Sequence, residues 1–240
     1  MICRISLGRC LPAVIAFAAL ATPALAQTTR QGDAYLMRMR FVPNTTMSYQ
    51  VNTSITPANA PQGKAAPQGM SFPMSIRVIS VNRQGVATVE YSIGPMTMGG
   101  QKSGQAQTMR AEMDNRGRLV GNSNPQLQGL SSMTLPEGPV RLGGTWSAKI
   151  AAPGMPGGGG LDATYRLQSI QGTGARQVAV ISVTTSGTIG GMQVSGSGTM
   201  NIRMSDGSLE SATLNQRITA PAQGKGAPMT LNSVTRMTRV

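Results

Sequence analysis

The sequence predicts an all-β, antiparallel protein, on three observations. Apolar side chains recur at every second position through most of the chain, as in Tyr35, Met37, Met39 and Phe41, and again in Met47, Tyr49 and Val51. That is the period of a strand with one buried face. Gly, Pro, Asn and Asp cluster between these runs, where they act as turn residues, and the 240 residues include 30 Gly and 15 Pro. No window shows a 3.6-residue apolar period among helix-forming side chains. Counting runs between turn signals gives about 11 to 12 strands. They are expected to pack as a sandwich, or as an open or closed barrel.

In chain order, residues 1–26 read as a signal peptide. Arg4 and Arg9 precede the short apolar run Leu11–Leu20, and Ala24-Leu25-Ala26 fits the small-x-small cleavage pattern. The run falls short of the roughly 20 apolar residues that a membrane span needs, so no transmembrane span is expected once the signal is removed. The expected location is the periplasm or the secreted fraction of a bacterium. Both cysteines, Cys3 and Cys10, lie in this segment, and the chain has no His. Residues 27–240 therefore form a single expected β domain without disulfides, held by its own core.

Within that domain the pattern is told twice, with a period of about 90 residues. The first half, 34–121, contains the Met47 strand, a Gly/Pro loop from Pro57 to Gly69, the strand Met70–Val81, a turn at Asn82–Gly85 and a return strand Val86–Ile93. It ends in Thr108–Met113 and a turn at Asp114–Gly117. A linker, 122–138, follows. In the second half, 139–240, Thr145–Ile150 matches Thr46–Val51, and the Ala151–Gly160 loop matches the first loop. Tyr165–Ile170 matches Ile76–Val81, Val178–Val183 matches the return strand, and Met200–Met204 matches Met109–Met113. Leu209–Ile218 and Met229–Arg239 close the chain as two further strands.

At the joint stands Leu135–Trp146, LPEGPVRLGGTW, with the only Trp of the chain. In repeat register Trp146 takes the place of Met47, an inward strand position. It is expected to be the structural anchor that seats the second half on the first, with Pro139 and Gly143 setting the angle of entry. The motif resembles one found in a group of exported bacterial β-domains of unknown function, of the form L-P-x-x-P-V-x-x-G-x-x-W. Leu135, Pro136, Pro139, Val140, Gly143 and Trp146 fit it. The resemblance implies an envelope or secreted β-domain and brings no activity with it.

The net charge is +13, from 21 Lys and Arg against eight carboxylates; with Arg4 and Arg9 removed it is +11. The cations stand singly, with no Lys/Arg block and little aromatic interleaving. Together with export this argues against nucleic acid and for a solvated basic surface, with attraction to an anionic envelope surface, lipid headgroups or acidic glycans, as the alternative. Absence of His and of Cys beyond the signal excludes His acid–base chemistry, Cys nucleophiles and His/Cys metal sites. Six carboxylates, Glu90, Glu112, Asp114, Asp162, Asp206 and Glu210, are the remaining acid–base candidates, and Asp114 and Asp206 read as turn residues. The Gly154–Gly160 loop lacks the Lys-Ser/Thr and helix start of a phosphate cradle. Sixteen methionines lie beyond the signal. Met37-x-Met39 and Met96-x-Met98 share strand faces and read as core filler rather than copper(I) ligands. The functional expectation is a non-enzymatic binding or carrier module, without cofactor, for an apolar or amphipathic ligand held between the halves. The alternative is a structural or protein-interaction module of the envelope with a solid core.

Overall fold

The computed structural model describes residues 29–58, 68–121, 133–151, 159–222 and 228–240. The expected signal segment lies outside them, as do most of the two Gly/Pro loops and the first eleven residues of the expected linker.

The described chain is antiparallel β throughout, with one short 3₁₀ turn, Gly174–Arg176. The first two strands are short: β1 (Thr29–Gln31) and β2 (Ala34–Leu36). Next come β3 (Thr46–Pro57), β4 (Gln68–Val81), β5 (Ala87–Ile93), β6 (Met96–Met98), β7 (Gln101–Ser103), β8 (Gln107–Met113) and β9 (Leu119–Val120). Past the linker lie β10 (Val140–Arg141), β11 (Thr145–Ala151), β12 (Gly159–Gln171), β13 (Val178–Ile189), β14 (Met192–Arg203), β15 (Leu209–Ala220) and β16 (Met229–Arg239). The described residues hold sixteen strands, against the expected 11 to 12. The excess comes largely from pieces of two or three residues, too short to show a period.

Thirteen strands form one sheet, in the order β11-β12-β13-β14-β15-β16-β3-β4-β5-β8-β9, with the β6–β7 hairpin added on β4. A small sheet, β1-β2-β10, stands beside it. Among the described residues no pairing joins β11 to β9, so the closed barrel is set aside: the large sheet coils until its ends face each other as a sandwich. The main core cluster contains Val78, Val89 and Tyr91 from one end of the ladder and Tyr165, Leu167 and Ile181 from the other. A smaller cluster, Met47, Tyr49, Val51 and Met74, lies beside it.

Strand alternation produces this layering directly. In β12, Leu161, Ala163, Tyr165 and Leu167 are buried while Asp162, Thr164, Arg166 and Gln168 are exposed. One strand position leaves no room for a side chain. A Cβ at Gly198 would stand 2.1 Å from the Thr213 carbonyl oxygen, inside any allowed contact.

Several local features recur along the chain. The β4–β5 ladder shifts register between Val78 and Ser80, and the β12–β13 ladder shifts between Leu167 and Ser169. Asn44, with φ 64°, donates to the Val78 carbonyl at 2.8 Å, and Val78 donates to Thr45 at 2.9 Å. Gly143, with φ 81°, donates to the Leu167 carbonyl at 2.7 Å, and Leu167 donates to Gly144 at 3.0 Å. Asn44 is the one non-glycine at positive φ among the described residues, and Asn tolerates that region best.

The stretch 37–41, expected as a strand, is irregular after Leu36. The alternation still holds, since Met37 is fully buried and Met39 nearly so. Its backbone is satisfied elsewhere: Met39 donates to Asn115 at 2.7 Å and Arg40 to Asp206 at 2.8 Å. The stretch thus crosses one end of the sandwich, bonded to the turn after β8 and the turn after β14. A Cβ at Gly207 would lie 2.0 Å from the Arg38 carbonyl oxygen, so the second turn needs glycine for closeness as well as for its φ of 68°.

Candidate functional site

The expected anchors gather at this closed end. Trp146, on β11, is well over half buried, and its ring stacks on Tyr165 of β12 with centroids 5.3 Å apart and planes 14° from parallel. Its indole Nε1 donates to the Thr134 carbonyl at 2.7 Å. The three next carbonyls are also taken by side chains. Arg116 Nε donates to Leu135 at 2.9 Å, Arg38 Nη1 to Pro136 at 2.8 Å, and Arg38 Nη2 to Glu137. Arg116 Nη1 pairs with the Glu137 carboxylate at 2.7 Å. Four successive carbonyls, Thr134 to Glu137, are therefore held by one Trp and two Arg. Leu135 and Pro136 are buried within this grip, whereas Pro139 is exposed. Gly143 sits in the turn before β11, and its carbonyl accepts from Arg166 Nε at 3.2 Å. Trp146 fastens the linker to its own half: its ring partner, Tyr165, belongs to the neighbouring strand.

The carboxylates do not converge. Asp114 Oδ1 accepts from the backbone of Arg116 and Arg118, at 2.9 Å each. Asp206 Oδ1 accepts from the backbone of Ser208 at 2.9 Å and from its hydroxyl at 2.6 Å. Asp114, Asp206, Glu90 and Glu210 each form an ion pair with an arginine: Arg118, Arg239, Arg110 and Arg203 respectively. Glu112 and Asp162 are exposed on β8 and β12. Among the described residues no three acidic, His or Cys side chains group as a metal site. The methionine pairs separate. Met37 is core, but Met98 is 51% exposed on the short β6–β7 hairpin. Most of the Gly154–Gly160 loop lies outside the described residues.

The apolar site is instead at the seam of the two core clusters. A partly open cleft of about 70 Å³ is lined by Met39, Met74, Met113, Met133 and Met237 together with Tyr49, Tyr91, Ile76 and Leu209. The inner faces of β3, β4, β5 and β8 form one wall, β15 and β16 supply Leu209 and Met237, and the 37–41 crossing and Met133 lie over it. Burial pushes the Tyr49 hydroxyl up to about 12, an effect the Arg239 charge opposes. Tyr91 is raised further, by burial and then by Tyr49 itself. Both phenols stay neutral, so the cleft carries polar tips without charge. Sequence reading took the methionines as core filler and did not single out Leu209, which it placed in a closing strand of the second half, 139–240.

No protein-family model matches the chain, and no curated protein matches it. Among solved structures, the chain is similar to one described as "Lipid-protein interactions in lipovitellin", at 12% identity and a TM-score of 0.49. The match covers 84% of this chain and 25% of that one, so the chain spans about a quarter of the length of the structure it resembles.

Proposed function

We propose that this protein is an exported, non-enzymatic binding module that takes the apolar end of an amphipathic ligand. The observation that carries this is the methionine-lined cleft. Unbranched thioether side chains repack around irregular apolar shapes at low cost, and two neutral tyrosines stand at hand for a polar group. Its volume sets the scale. About 70 Å³ is roughly half of a cavity that holds benzene, and far below the roughly 300–1,000 Å³ of a pocket enclosing a whole small molecule. The cleft suits a chain end of a few methylenes, each contributing about 0.8 kcal/mol, and affinity is correspondingly weak. The recurring turns and register shifts support descent from two copies of one four-stranded unit. In that scheme the cleft belongs to the first copy and the bridging strands.

Titration calorimetry with decanoate tests this. Binding with a negative heat-capacity change, abolished by Leu209→Trp with stability kept within about 1 kcal/mol of the parent, is the expected result. Equal binding by parent and variant moves the ligand elsewhere. Contact between the two apolar faces in one core cluster favours a second reading, an interaction module with a solid core. Failure of the unaltered protein to bind decanoate at all selects that reading.

A further inference from the structure

A second feature lies on the opposite face of the sheet. Three hollows of about 280, 420 and 530 Å³ adjoin there. The first two share Ser71 and Thr97, and the last two share Val234. Strand register shows that they form one trough across the strands. Ser71 stands beside Asn52, Asn52 beside Arg236, Asn215 beside Val234, and Arg217 between Ser195 and Asn232. From β4 to β14 the trough crosses four strand spacings, roughly 20 Å.

The lining is mostly polar, with Met70, Phe72, Pro73, Pro95 and Val234 set among it. Ser, Thr, Asn and Gln side chains present donors and acceptors along the whole length, and one cation stands in each hollow: Lys102, Arg236 and Arg217. All three are exposed. Among the described residues none of them forms an ion pair, whereas six other arginines do. No carboxylate lines any hollow. Asp162 stands on the same face but beyond Ser186, and Glu90 is held by Arg110. None of the exposed large apolar side chains, Val42, Met98, Leu142, Met229 and Val240, lines the trough either.

We propose that this trough binds a linear acidic polysaccharide. Spaced, uncompensated cations in a groove of hydroxyls and amides match a chain that carries a carboxylate at intervals and hydroxyls between. A recessed groove whose larger apolar members, Met70, Phe72 and Val234, are only partly exposed fits a flat bilayer poorly, since surface insertion uses protruding apolar residues beside the cations. This site is separate from the methionine cleft and does not depend on it.

The test is titration of the purified protein with an oligogalacturonate, alongside a neutral oligodextran of similar length and phosphatidylglycerol vesicles. Binding of the acidic oligosaccharide, weakened by salt, is expected. It falls about tenfold or more when Lys102, Arg217 and Arg236 are all changed to Gln. Arg83→Gln together with Arg176→Gln, which remove exposed cations outside the trough, leaves it unchanged. Circular dichroism confirms that both variants fold. The proposal is overturned by absence of binding, by equal binding of the neutral oligomer, by equal loss in both variants, or by binding to the vesicles alone.

Discussion

Truncating Trp146 to Ala removes three things at once. The indole is well over half buried, so most of the usual 3–5 kcal/mol for emptying a buried Trp site applies, roughly 2–3 kcal/mol. The Nε1 bond to Thr134, 2.7 Å long, adds about 1 kcal/mol. Loss of about 3–4 kcal/mol is therefore expected, with the stacking on Tyr165 contained in the first figure. Trp146→Phe separates the parts: it keeps a ring over Tyr165 and loses only the donor, for about 1 kcal/mol. Urea unfolding followed by far-UV circular dichroism measures both, as a lower midpoint at unchanged slope. A loss under about 1 kcal/mol for the Ala variant refutes the fastening role assigned to Trp146. Equal losses for Ala and Phe place all of its contribution in the hydrogen bond.

Four further outcomes are expected. Gly198→Ala puts a methyl group against the Thr213 carbonyl and is expected to abolish soluble expression or cost more than about 3 kcal/mol. Gly138→Ala, with nothing within 4 Å, leaves the melting temperature unchanged. Asn44→Val forces a β-branched residue to φ 64° and loses about 1–2 kcal/mol, while Asn44→Gly does not; thermal melts of the pair decide it. Stability also falls at high pH. Tyr49 and Tyr165 keep their protons in the fold up to about 12, against 10.0 for a free phenol, so the folded state binds more protons than the unfolded chain between those values. This contribution is complete below pH 10 and is lost as pH rises towards 12. Urea midpoints across that range, with phenolate absorbance recorded in parallel, test the direction; a flat profile contradicts the burial of the two hydroxyls.

Much of the layering was legible because alternation reports burial. Met47, Tyr49 and Val51 face inward as their spacing says, and so do Met37 and Met39 where the backbone is not a strand at all. Alternation records which side is wet, not which partner the backbone bonds to, and the 37–41 crossing takes its bonds from two turns. The cleft was less legible. Its wall joins β3 to Leu209 and Met237, which only the strand order brings together. The trough left no mark, since outward Ser, Thr and Asn on a strand read as an ordinary solvated face. Lys102, Arg236 and Arg217 are unremarkable until β7, β6, β4, β3, β16 and β15 are laid side by side. Arg38 was hidden for a related reason, because an arginine serving backbone carbonyls 98 and 99 residues away shows no local pattern, and Arg116, 19 residues from the Leu135 carbonyl, read as a turn residue.

The position of β16 has a consequence for assembly. It pairs with β15 on one side and β3 on the other, so the segment that follows all the others in sequence is the keystone between the two ends of the ladder. Until it docks, β3 and β15 are both open edges of long, largely uncharged strands, the kind that recruit other chains. The large sheet therefore cannot be completed progressively from its first residue onwards. Its ladder becomes continuous only when this strand pairs residues as far apart as Tyr49 and Arg239, a non-local closure of the kind that slows folding.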